Sequence, residues 1–324
     1  MLHREQQIMR RRLINQRSNH SQLGLSMIEL MVAITIGLIL SAGIIQIFSN
    51  SKNTYRIEES LSRVQESGRL ALDFIANDVR MASYWGCQPD PSNIQNDLAA
   101  GAGYIDFTAG AVSGTEGGAG APDSLTLSGA DGTLGLALQP NGGGGTYSTS
   151  ASTALQVATP NDLASGEIVL VGDCTGGDIF QVTGANPSAA GVVGHAVVAG
   201  SPGNASQLSK AYQGDASIYY VHQTIYTVKA GSDGQPALWR SIDGADQEIV
   251  DDVSDLQILY GEDMNNDRSV DRYVDANNVS NFANVYSIKV QLTVQTAAAN
   301  TSATAGTRIT RNFSTTVAIR NRVL

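Results

Sequence analysis

An apolar segment close to the N-terminus constrains this chain more than any other feature. It runs from Gly24 to Phe48, GLSMIELMVAITIGLILSAGIIQIF, and Glu29 is its single charged residue. The next charge is Lys52, so about 20 apolar residues follow Glu29, enough for one helix to cross a bilayer. A charged side chain inside a bilayer costs about 2.5–3.5 kcal/mol on insertion scales, which predicts that Glu29 has a function.

A stripe of apolar or small residues continues beyond this segment. Its members follow one another at steps of three or four residues, the period of one face of an amphipathic helix. They are Ile57, Leu61, Val64, Gly68, Ala71, Ile75, Val79 and Ala82. Because no Pro interrupts Leu25 to Ala82, the sequence predicts one continuous helix of about 58 residues, roughly 87 Å long at 1.5 Å per residue.

The Arg-rich start of the chain, Gly24 and Glu29 together resemble the type IV prepilins. In that family a prepilin peptidase cuts after a Gly, and the fifth residue of the mature chain is a Glu that acts in assembly. The resemblance implies a leader of residues 1–24, cleavage between Gly24 and Leu25, N-methylation of Leu25 and an assembly role for Glu29. Two alternatives remain from the residues: an ordinary secretory signal cut near Ser41-Ala42-Gly43, and a signal anchor with an incidental Glu.

The stretch Val64 to Cys87, VQESGRLALDFIANDVRMASYWGC, resembles the PilW-type minor pilins. These proteins show a similar Gln-Glu-x-Gly-Arg run, an Asp-hydrophobic-Arg triplet and an aromatic-Gly-Cys ending, with Gly expected where Ser83 stands. The resemblance implies an α+β fold, in which a long N-terminal helix packs with its amphipathic half on a β-rich pilin head. The expected organisation is a leader (1–24), a transmembrane and filament-core helix (25–50), its amphipathic continuation (51–85) and a β-rich domain with Gly-rich loops (86–324).

The same resemblance implies a non-enzymatic minor pilin that primes pilus assembly and sits at or near the tip, supporting twitching motility and surface adhesion. The implied partners are other minor pilins, the major pilin, a tip adhesin, the prepilin peptidase and the inner-membrane assembly platform. Before assembly the chain would cross the bacterial inner membrane once, and afterwards it would be extracellular. The alternatives are a minor pseudopilin of a type II secretion system and a membrane-anchored binding module whose Gly-rich loops contact a ligand.

Charge supports export rather than nucleic-acid binding. The predicted leader holds five Arg and one Glu, and subtracting its +4 from the formal net charge of −10 leaves −14 for the rest of the chain. Binding to nucleic acid requires clusters of Lys and Arg, so no nucleic-acid partner is expected. The positive-inside rule places the Arg-rich N-terminus in the cytoplasm and the residues after Phe48 outside it.

The remainder of the chain is predicted to be rich in β-strands, because apolar and polar residues alternate in short runs. The predicted strands are Asp123 to Leu127, Ala154 to Ala158, Glu167 to Val171, Ile179 to Thr183, Ile218 to Val228, Ala237 to Ile242, Leu256 to Gly261, Val285 to Thr293 and Thr310 to Arg320. Three segments rich in Gly, Ala, Ser and Asn are predicted to be surface loops, because they lack the apolar content to pack. They are Gly101 to Gly120, Gly142 to Ser152 and Gly184 to Gly203.

The two cysteines of the chain, Cys87 and Cys174, are predicted to form a disulfide outside the cytoplasm. Closing a loop of this length is worth about 4–5 kcal/mol in the chain-entropy model. The alternatives are two free thiols or a metal site built on these cysteines.

The segment Gly261 to Ala276, GEDMNNDRSVDRYVDA, carries oxygen-bearing side chains at every second position. This spacing resembles positions one to nine of a calcium loop. The candidate ligands are Asp263, Asn265, Asp267, Ser269, Asp271 and, four residues further on, Asp275. Arg268 stands where a Gly normally allows the sharp bend, and Val274 where a bidentate Glu would close the site. Calcium is the only cofactor that the sequence suggests, and the alternative is an Asx-rich hairpin tip with solvated carboxylates.

Enzyme motifs are missing from the sequence. It contains no H-E-x-x-H, no G-x-S-x-G, no P-loop and no G-x-G-x-x-G followed by a helix. His195 and His222 have no evident acidic or Cys partner, and His222 is predicted to face outward from a strand. The sequence therefore predicts a protein without catalytic residues.

Overall fold

A computed structural model describes residues 26–88, 91–101, 104–107, 111–141, 145–184, 186–297 and 307–323. The chain divides into two compact units, with the boundary between Arg56 and Ile57. The predicted leader lies outside the described residues.

The first described element is α1, Met27–Met81, a single helix of 55 residues. Glu29 in its first turn and Arg80 in its last turn both have the sign of charge that the helix dipole favours at those ends. The predicted helix, Leu25 to Ala82, is therefore confirmed over its described length. A β-rich domain follows, and the described residues form the predicted α+β fold.

The strands of the described residues vary from two-residue bridges to 14-residue strands. They are β1 (Ile94–Asn96), β2 (Val112–Thr115), β3 (Ser124–Ala137), β4 (Leu155–Gln156), β5 (Ile168–Asp173), β6 (Gly176–Gln181), β7 (Val192–Val193), β8 (Val198–Ala199), β9 (Gly203–Asn204), β10 (Ser217–Ala230), β11 (Pro236–Ile242), β12 (Ala245–Asp251), β13 (Val253–Glu262), β14 (Arg272–Val274), β15 (Val285–Gln295) and β16 (Thr310–Ala318). Two short helices are α2 (Pro187–Ala190) and α3 (Arg320–Val323).

Two sheets contain most of these strands. The larger has the order β1-β6-β5-β10-β11-β12, and β3 pairs with β10 and with β2. Strand β10 is the centre of this sheet. It pairs with β3 along one of its edges, and β5 and β11 pair with different parts of its other edge. The smaller sheet is antiparallel, with the order β14-β13-β15-β16.

The largest hydrophobic cluster lies where the second half of α1 meets both sheets. It combines the buried stripe of the helix with inward-facing residues such as Leu125 and Tyr226 of the larger sheet and Ile258 and Val290 of the smaller one. Two further clusters lie around Phe180 and around Trp85. The second half of α1 therefore contributes one face to the largest core of the head, whereas the cluster around Phe180 contains no residue of α1.

Most of the predicted strands are present, but their limits differ. The predicted strand Ala154 to Ala158 is reduced to β4, and seven strands were not predicted: β1, β2, β7, β8, β9, β12 and β14. The Gly-rich segment Gly101 to Gly120 was wrongly predicted to lie wholly on the surface, because Phe107 and Val112 are buried and β2 pairs with β3. Gly184 to Gly203 likewise contains α2, β7 and β8.

The β11–β12 hairpin has a local sequence signal. Asp243 and Gly244 form its turn, with φ values of 50° and 84°. Positive φ at both central residues is the pattern that Asp-Gly favours in two-residue hairpins. This dipeptide could have predicted β12, whose acidic residues conceal the apolar alternation.

Candidate functional site

The apolar segment of α1 is exposed along its whole length, from Met27 to Phe48. It is long and apolar enough to cross a membrane. Its Thr35 hydroxyl donates to the carbonyls of Met31 (3.0 Å) and Val32 (2.9 Å) within the helix, so this polar group is satisfied without water. A helix that is apolar on all sides requires an apolar environment, supplied by lipid or by other protein chains.

Glu29 is exposed in the first turn of this segment. A carboxylate at this position interacts favourably with the helix dipole, but within a bilayer it also needs a partner. Gly24 and Leu25, the predicted sites of cleavage and N-methylation, lie outside the described residues.

The second half of α1 buries the predicted stripe. Val64, Gly68, Ala71, Ile75 and Val79 are buried, as is Ala82 just beyond the helix. The first two members of the stripe, Ile57 and Leu61, are half-buried. The three-and-four spacing therefore identified the face that packs on the head.

Gly68 is a point of close approach between α1 and the smaller sheet. A Cβ at this position would lie 2.4 Å from Cδ2 and Cε2 of Phe313 on β16. Such a distance requires the ring or the helix to move, so only Gly fits without rearrangement. The Gly of the Gln-Glu-x-Gly-Arg run therefore has a packing role.

Asp78, from the Asp-hydrophobic-Arg triplet, connects α1 to the larger sheet. Its Oδ2 accepts a hydrogen bond from the Tyr226 hydroxyl on β10 (2.6 Å) and forms an ion pair with Arg240 on β11 (2.9 Å). Tyr226 is fully buried, and its burial together with the Asp78 carboxylate raises its pKa. The hydroxyl therefore stays protonated and acts as a donor. A cavity of about 500 Å³ adjoins these residues.

The chain leaves α1 through two residues with left-handed backbone, Ser83 at φ 63° and Gly86 at φ 69°. The first value explains why Gly is expected where Ser83 stands, because Gly adopts positive φ without steric cost. The Ser83 N–H donates to the Ser128 carbonyl (3.0 Å), and its hydroxyl accepts from Nε of Arg322 (3.2 Å). A Cβ on Gly86 would lie 2.8 Å from the ring of Tyr219.

The predicted disulfide between Cys87 and Cys174 is present, with the two Cα atoms 4.7 Å apart. Cys174 lies in the turn between β5 and β6, directly after the strand that its apolar run predicted. The bond therefore joins the exit of α1 to the β5–β6 hairpin.

Arg322 on α3 is a structural residue that the sequence did not indicate. Its side chain is buried, and Nη1 donates to the carbonyls of Phe282 (2.6 Å) and Val285 (2.8 Å). Burial lowers its pKa to about 10. A terminal Arg in a sequence usually suggests a solvated charge, whereas this one holds the C-terminal segment against the exit of α1.

The candidate calcium ligands do not assemble into a cluster of acidic side chains. In the described part of the chain, no three His, Cys, Asp or Glu side chains lie close enough together to hold a metal ion. Asp263 instead accepts hydrogen bonds from the N–H groups of Asn265 (3.0 Å), Asn266 (2.7 Å) and Arg268 (2.7 Å). Arg268 adopts φ 65°, so it supplies the left-handed bend without a Gly.

The other candidate ligands also bond to nearby backbone. Asp267 accepts from the Ser269 N–H (2.8 Å), Asp271 from the Met264 N–H (2.7 Å), and Asp275 from the N–H of Asn278 (3.0 Å). This is the hydrogen-bond pattern of an Asx-rich hairpin tip. The arrangement favours the hairpin tip with solvated carboxylates over the calcium site.

Glu262, which precedes these ligands, organises the same loop from inside. Its carboxylate is 1 % exposed and pairs with Arg272 (2.8 Å). It also accepts from the N–H groups of Ser280 (2.9 Å) and Asn281 (3.0 Å). Burial opposes ionisation, but the Arg272 contacts and backbone donors outweigh it and lower the pKa of Glu262. The sequence did not single out this residue.

His222 was wrongly predicted to lack an acidic partner. Its Nδ1 lies 2.6 Å from Oδ2 of Asp243 in the β11–β12 turn. The hydrogen bond to Asp243 raises the pKa of His222. The two residues line a cavity of about 540 Å³ together with Glu167 and Tyr220.

Two family models match the chain. One, described as type IV pilus-assembly protein W, covers residues 225–310, and the other, described as a prokaryotic N-terminal methylation motif, covers residues 19–45. Comparison with curated proteins and with solved structures finds no match. The two models match opposite ends of the chain, and together they support a PilW-type type IV pilin with a structural rather than enzymatic role.

Proposed function

We propose that this chain is a non-enzymatic minor pilin of the PilW type, which primes type IV pilus assembly and lies at or near the pilus tip. In that position it would support twitching motility and surface adhesion. The observation that carries the proposal is the exposed apolar segment of α1 with Glu29 in its first turn, within the segment that matches the N-terminal methylation motif.

The proposed role of α1 follows from two features of its surface, a face that packs on the head and an exposed apolar segment. From Val64 onward, one face of the helix is occupied by the head of the same chain. The segment from Met27 to Phe48 has no such cover among the described residues, so a bilayer before assembly and other pilins afterwards would enclose it. Burial of this apolar surface would supply the free energy for both states.

Glu29 would give the assembled state its register. After cleavage between Gly24 and Leu25, the new amino group of a neighbouring subunit would pair with this carboxylate. A low-dielectric environment strengthens the attraction between these two opposite charges. Removing one of them leaves the other without a counter-charge. N-methylation of Leu25 would keep the amino group basic.

The partners we propose are the other minor pilins, the major pilin, a tip adhesin, the prepilin peptidase and the inner-membrane assembly platform. The peptidase would act at the cytoplasmic side, since the leader carries the excess of Arg. The acidic head would lie outside the cytoplasm.

Substitution of Glu29 tests the assembly role. Glu29→Ala should leave cleavage and membrane insertion intact but reduce the number of surface pili, because only the pairing with the neighbouring amino group is lost. Glu58→Ala is the matched control, since Glu58 is an exposed carboxylate of the same helix outside the apolar segment. Unchanged piliation in Glu29→Ala would remove the proposed role of Glu29.

Substitution of Gly24 tests processing. Gly24→Val should leave a precursor that is larger by the leader, because a side chain before the cut obstructs the peptidase. N-terminal sequencing of the unmodified protein should give Leu25 as its first residue. A mature N-terminus near Ile44 would instead indicate an ordinary secretory signal.

Deletion of the gene separates the pilus role from a role in type II secretion. We expect loss of surface pili with protein secretion unaffected. Loss of secretion with normal pili would identify a minor pseudopilin, and a purified protein that binds surfaces alone would favour a membrane-anchored binding module.

A further inference from the structure

Two carboxyl groups meet in the interior of the head. Asp97 directly follows β1 and Asp178 lies on β6, and both residues are 0 % exposed. The two strands pair in parallel, and the Asp97 N–H donates to the carbonyl of Ile179 (2.9 Å). This register places Asp97 and Asp178 on neighbouring strands of the interior, and the interaction between their carboxyl groups acts on the pKa of Asp97.

Asp178 has donors for both of its oxygens. Its Oδ1 accepts from the Ser209 N–H (3.0 Å), while its Oδ2 accepts from the hydroxyls of Ser209 (2.8 Å) and Tyr212 (2.5 Å). Burial and the hydrogen bond to Asp178 raise the pKa of Tyr212, so its hydroxyl is a permanent donor.

Asp97 has donors for only one of its oxygens. Its Oδ1 accepts from Nε2 of Gln95 (2.6 Å) and from Oγ of Ser206 (2.5 Å). Its Oδ2 is buried and has no hydrogen-bond donor among the described residues. A buried carboxylate oxygen without a donor is costly, but a protonated carboxyl oxygen is itself a donor.

The charged groups around the pair do not neutralise it. Lys210 carries a positive charge in this region. Its ammonium group donates hydrogen bonds to Asp173 (2.7 Å) and to the Thr175 hydroxyl (2.6 Å). The Lys210 ammonium also lies 5.1 Å from the centre of the Tyr212 ring. Among the described residues near Asp178, Asp173 and Lys210 therefore compensate each other, and Tyr212 is neutral.

We propose that Asp97 and Asp178 share one proton as a carboxyl–carboxylate pair, with Asp97 Oδ2–H donating to Asp178, and that this proton contributes stability to the head at mildly acidic pH that is lost at neutral pH. The proton comes from solvent and returns to it, so no other reactant is required.

The direction of the pH effect follows from linkage. Burial, and to a smaller extent the Asp178 charge, raises the pKa of Asp97 from 3.8 to about 6. The unfolded chain loses this proton first as the pH rises, while the folded head retains it up to about pH 6. The stabilisation by the proton is thus complete below about pH 4 and is lost between about pH 4 and 6. A shift of about two units corresponds to roughly hundredfold tighter proton binding by the folded state.

The first test compares melting temperatures of the full chain in detergent. The chain has two tryptophans, Trp85 and Trp239, both in the head, and their fluorescence follows its unfolding. Asp97→Asn places an amide N–H where the shared proton lies but cannot titrate. Its melting temperature should equal that of the unmodified protein near pH 4 and exceed it by about 5–10 °C at pH 7.

The difference in melting temperature between Asp97→Asn and the unmodified protein isolates the effect of the pair. Carboxylates with lowered pKa values, such as Glu262, change stability with pH in the opposite direction, but they do so equally in both proteins and cancel in the difference. Asp215→Asn is the matched control, an exposed carboxylate of the same domain, and should retain the pH dependence of the unmodified protein. A difference between Asp97→Asn and the unmodified protein that stays constant from pH 4 to 7, or grows toward acid, would overturn the proposal.

A second measurement does not depend on the variant folding. The infrared spectrum of the unmodified protein at pH 5 should contain the C=O band of a buried carboxylic acid that disappears above pH 7. A spectrum without that band would overturn the shared proton. So would a calcium-dependent rise in melting temperature at pH 7 that Asp97→Asn abolishes, because the pair would then bind a cation instead.

Discussion

The contact of Asp78 with Tyr226 and Arg240 yields the sharpest stability prediction. Asp78→Ala removes the acceptor of a fully buried hydroxyl and the counter-ion of Arg240. A buried donor left without an acceptor costs about 1–3 kcal/mol. Breaking a fully buried ion pair costs about 3–5 kcal/mol, but the Arg240 side chain is 24 % exposed, so solvent screens part of its charge. We therefore expect a total loss of about 2–4 kcal/mol in the free energy of unfolding.

Urea unfolding of the full chain in detergent, followed by tryptophan fluorescence, measures this loss. A decrease of about 3 kcal/mol lowers the urea midpoint by roughly 1 M or more, since the slope for a chain of this size is about 2–3 kcal/mol per M. Asp73→Ala is the matched control, because Asp73 is an exposed carboxylate of the same helix. It should change the free energy by less than about 0.5 kcal/mol.

A double-mutant cycle separates the lost hydrogen bond from a general disturbance of α1. Tyr226→Phe alone removes one hydroxyl and should cost about 1 kcal/mol. Combined with Asp78→Ala it should add little, because the hydroxyl that lost its acceptor is then absent. Strictly additive effects, or a cost for Asp78→Ala as small as that for Asp73→Ala, would refute the inference that Asp78 connects the helix to the larger sheet.

Three further predictions concern the same domain. Gly68→Ala should lower stability by up to about 2 kcal/mol, because overpacking costs about 1–3 kcal/mol and the better helix propensity of Ala returns about 1 kcal/mol. Adding Phe313→Leu should recover most of the loss, and failure to do so would exclude the contact as its cause. Replacing Cys87 and Cys174 together by Ser should cost up to about 4–5 kcal/mol, measured by the urea midpoint, whereas an unchanged midpoint would mean that the bridge adds no stability. Calcium and chelator should give the same melting curve, since the described residues hold no cluster of acidic ligands; a saturable rise with calcium that Asp267→Ala abolishes would restore the calcium site.

The elements that local periodicity determines were predictable from the sequence. The three-and-four spacing from Ile57 to Ala82 identified the buried face of α1, and clean alternation in YSIKVQLTV and FSTTVAI identified β15 and β16. Strand β2 was missed because its few apolar residues lie in a Gly-rich segment and become ordered only by pairing with β3. This pairing is a tertiary contact that leaves no local pattern in β2 itself.

The same limit applies to the site. Asp78 and Tyr226 are 148 residues apart in sequence, and Arg322 lies 239 residues from Ser83. The sequence shows that each of these residues is present, but it does not specify the distant partner on which the role of the residue depends. Ser83 is the exception, because the Gly expected at that position already indicated a left-handed backbone.

The contacts of α1 give a physical explanation for the resemblance of the stretch Val64 to Cys87 to the PilW-type minor pilins. Gly68 admits the ring of Phe313, Asp78 binds Tyr226 and Arg240, and Cys87 joins the exit of the helix to the β5–β6 hairpin. These three motif residues therefore hold the helix to its own head. Such contacts serve the fold of the subunit and do not distinguish a role in a pilus from one in secretion. Residues specific to one role are then expected on exposed surfaces, such as the apolar segment with Glu29, and substitutions there should alter assembly without altering the stability of the head.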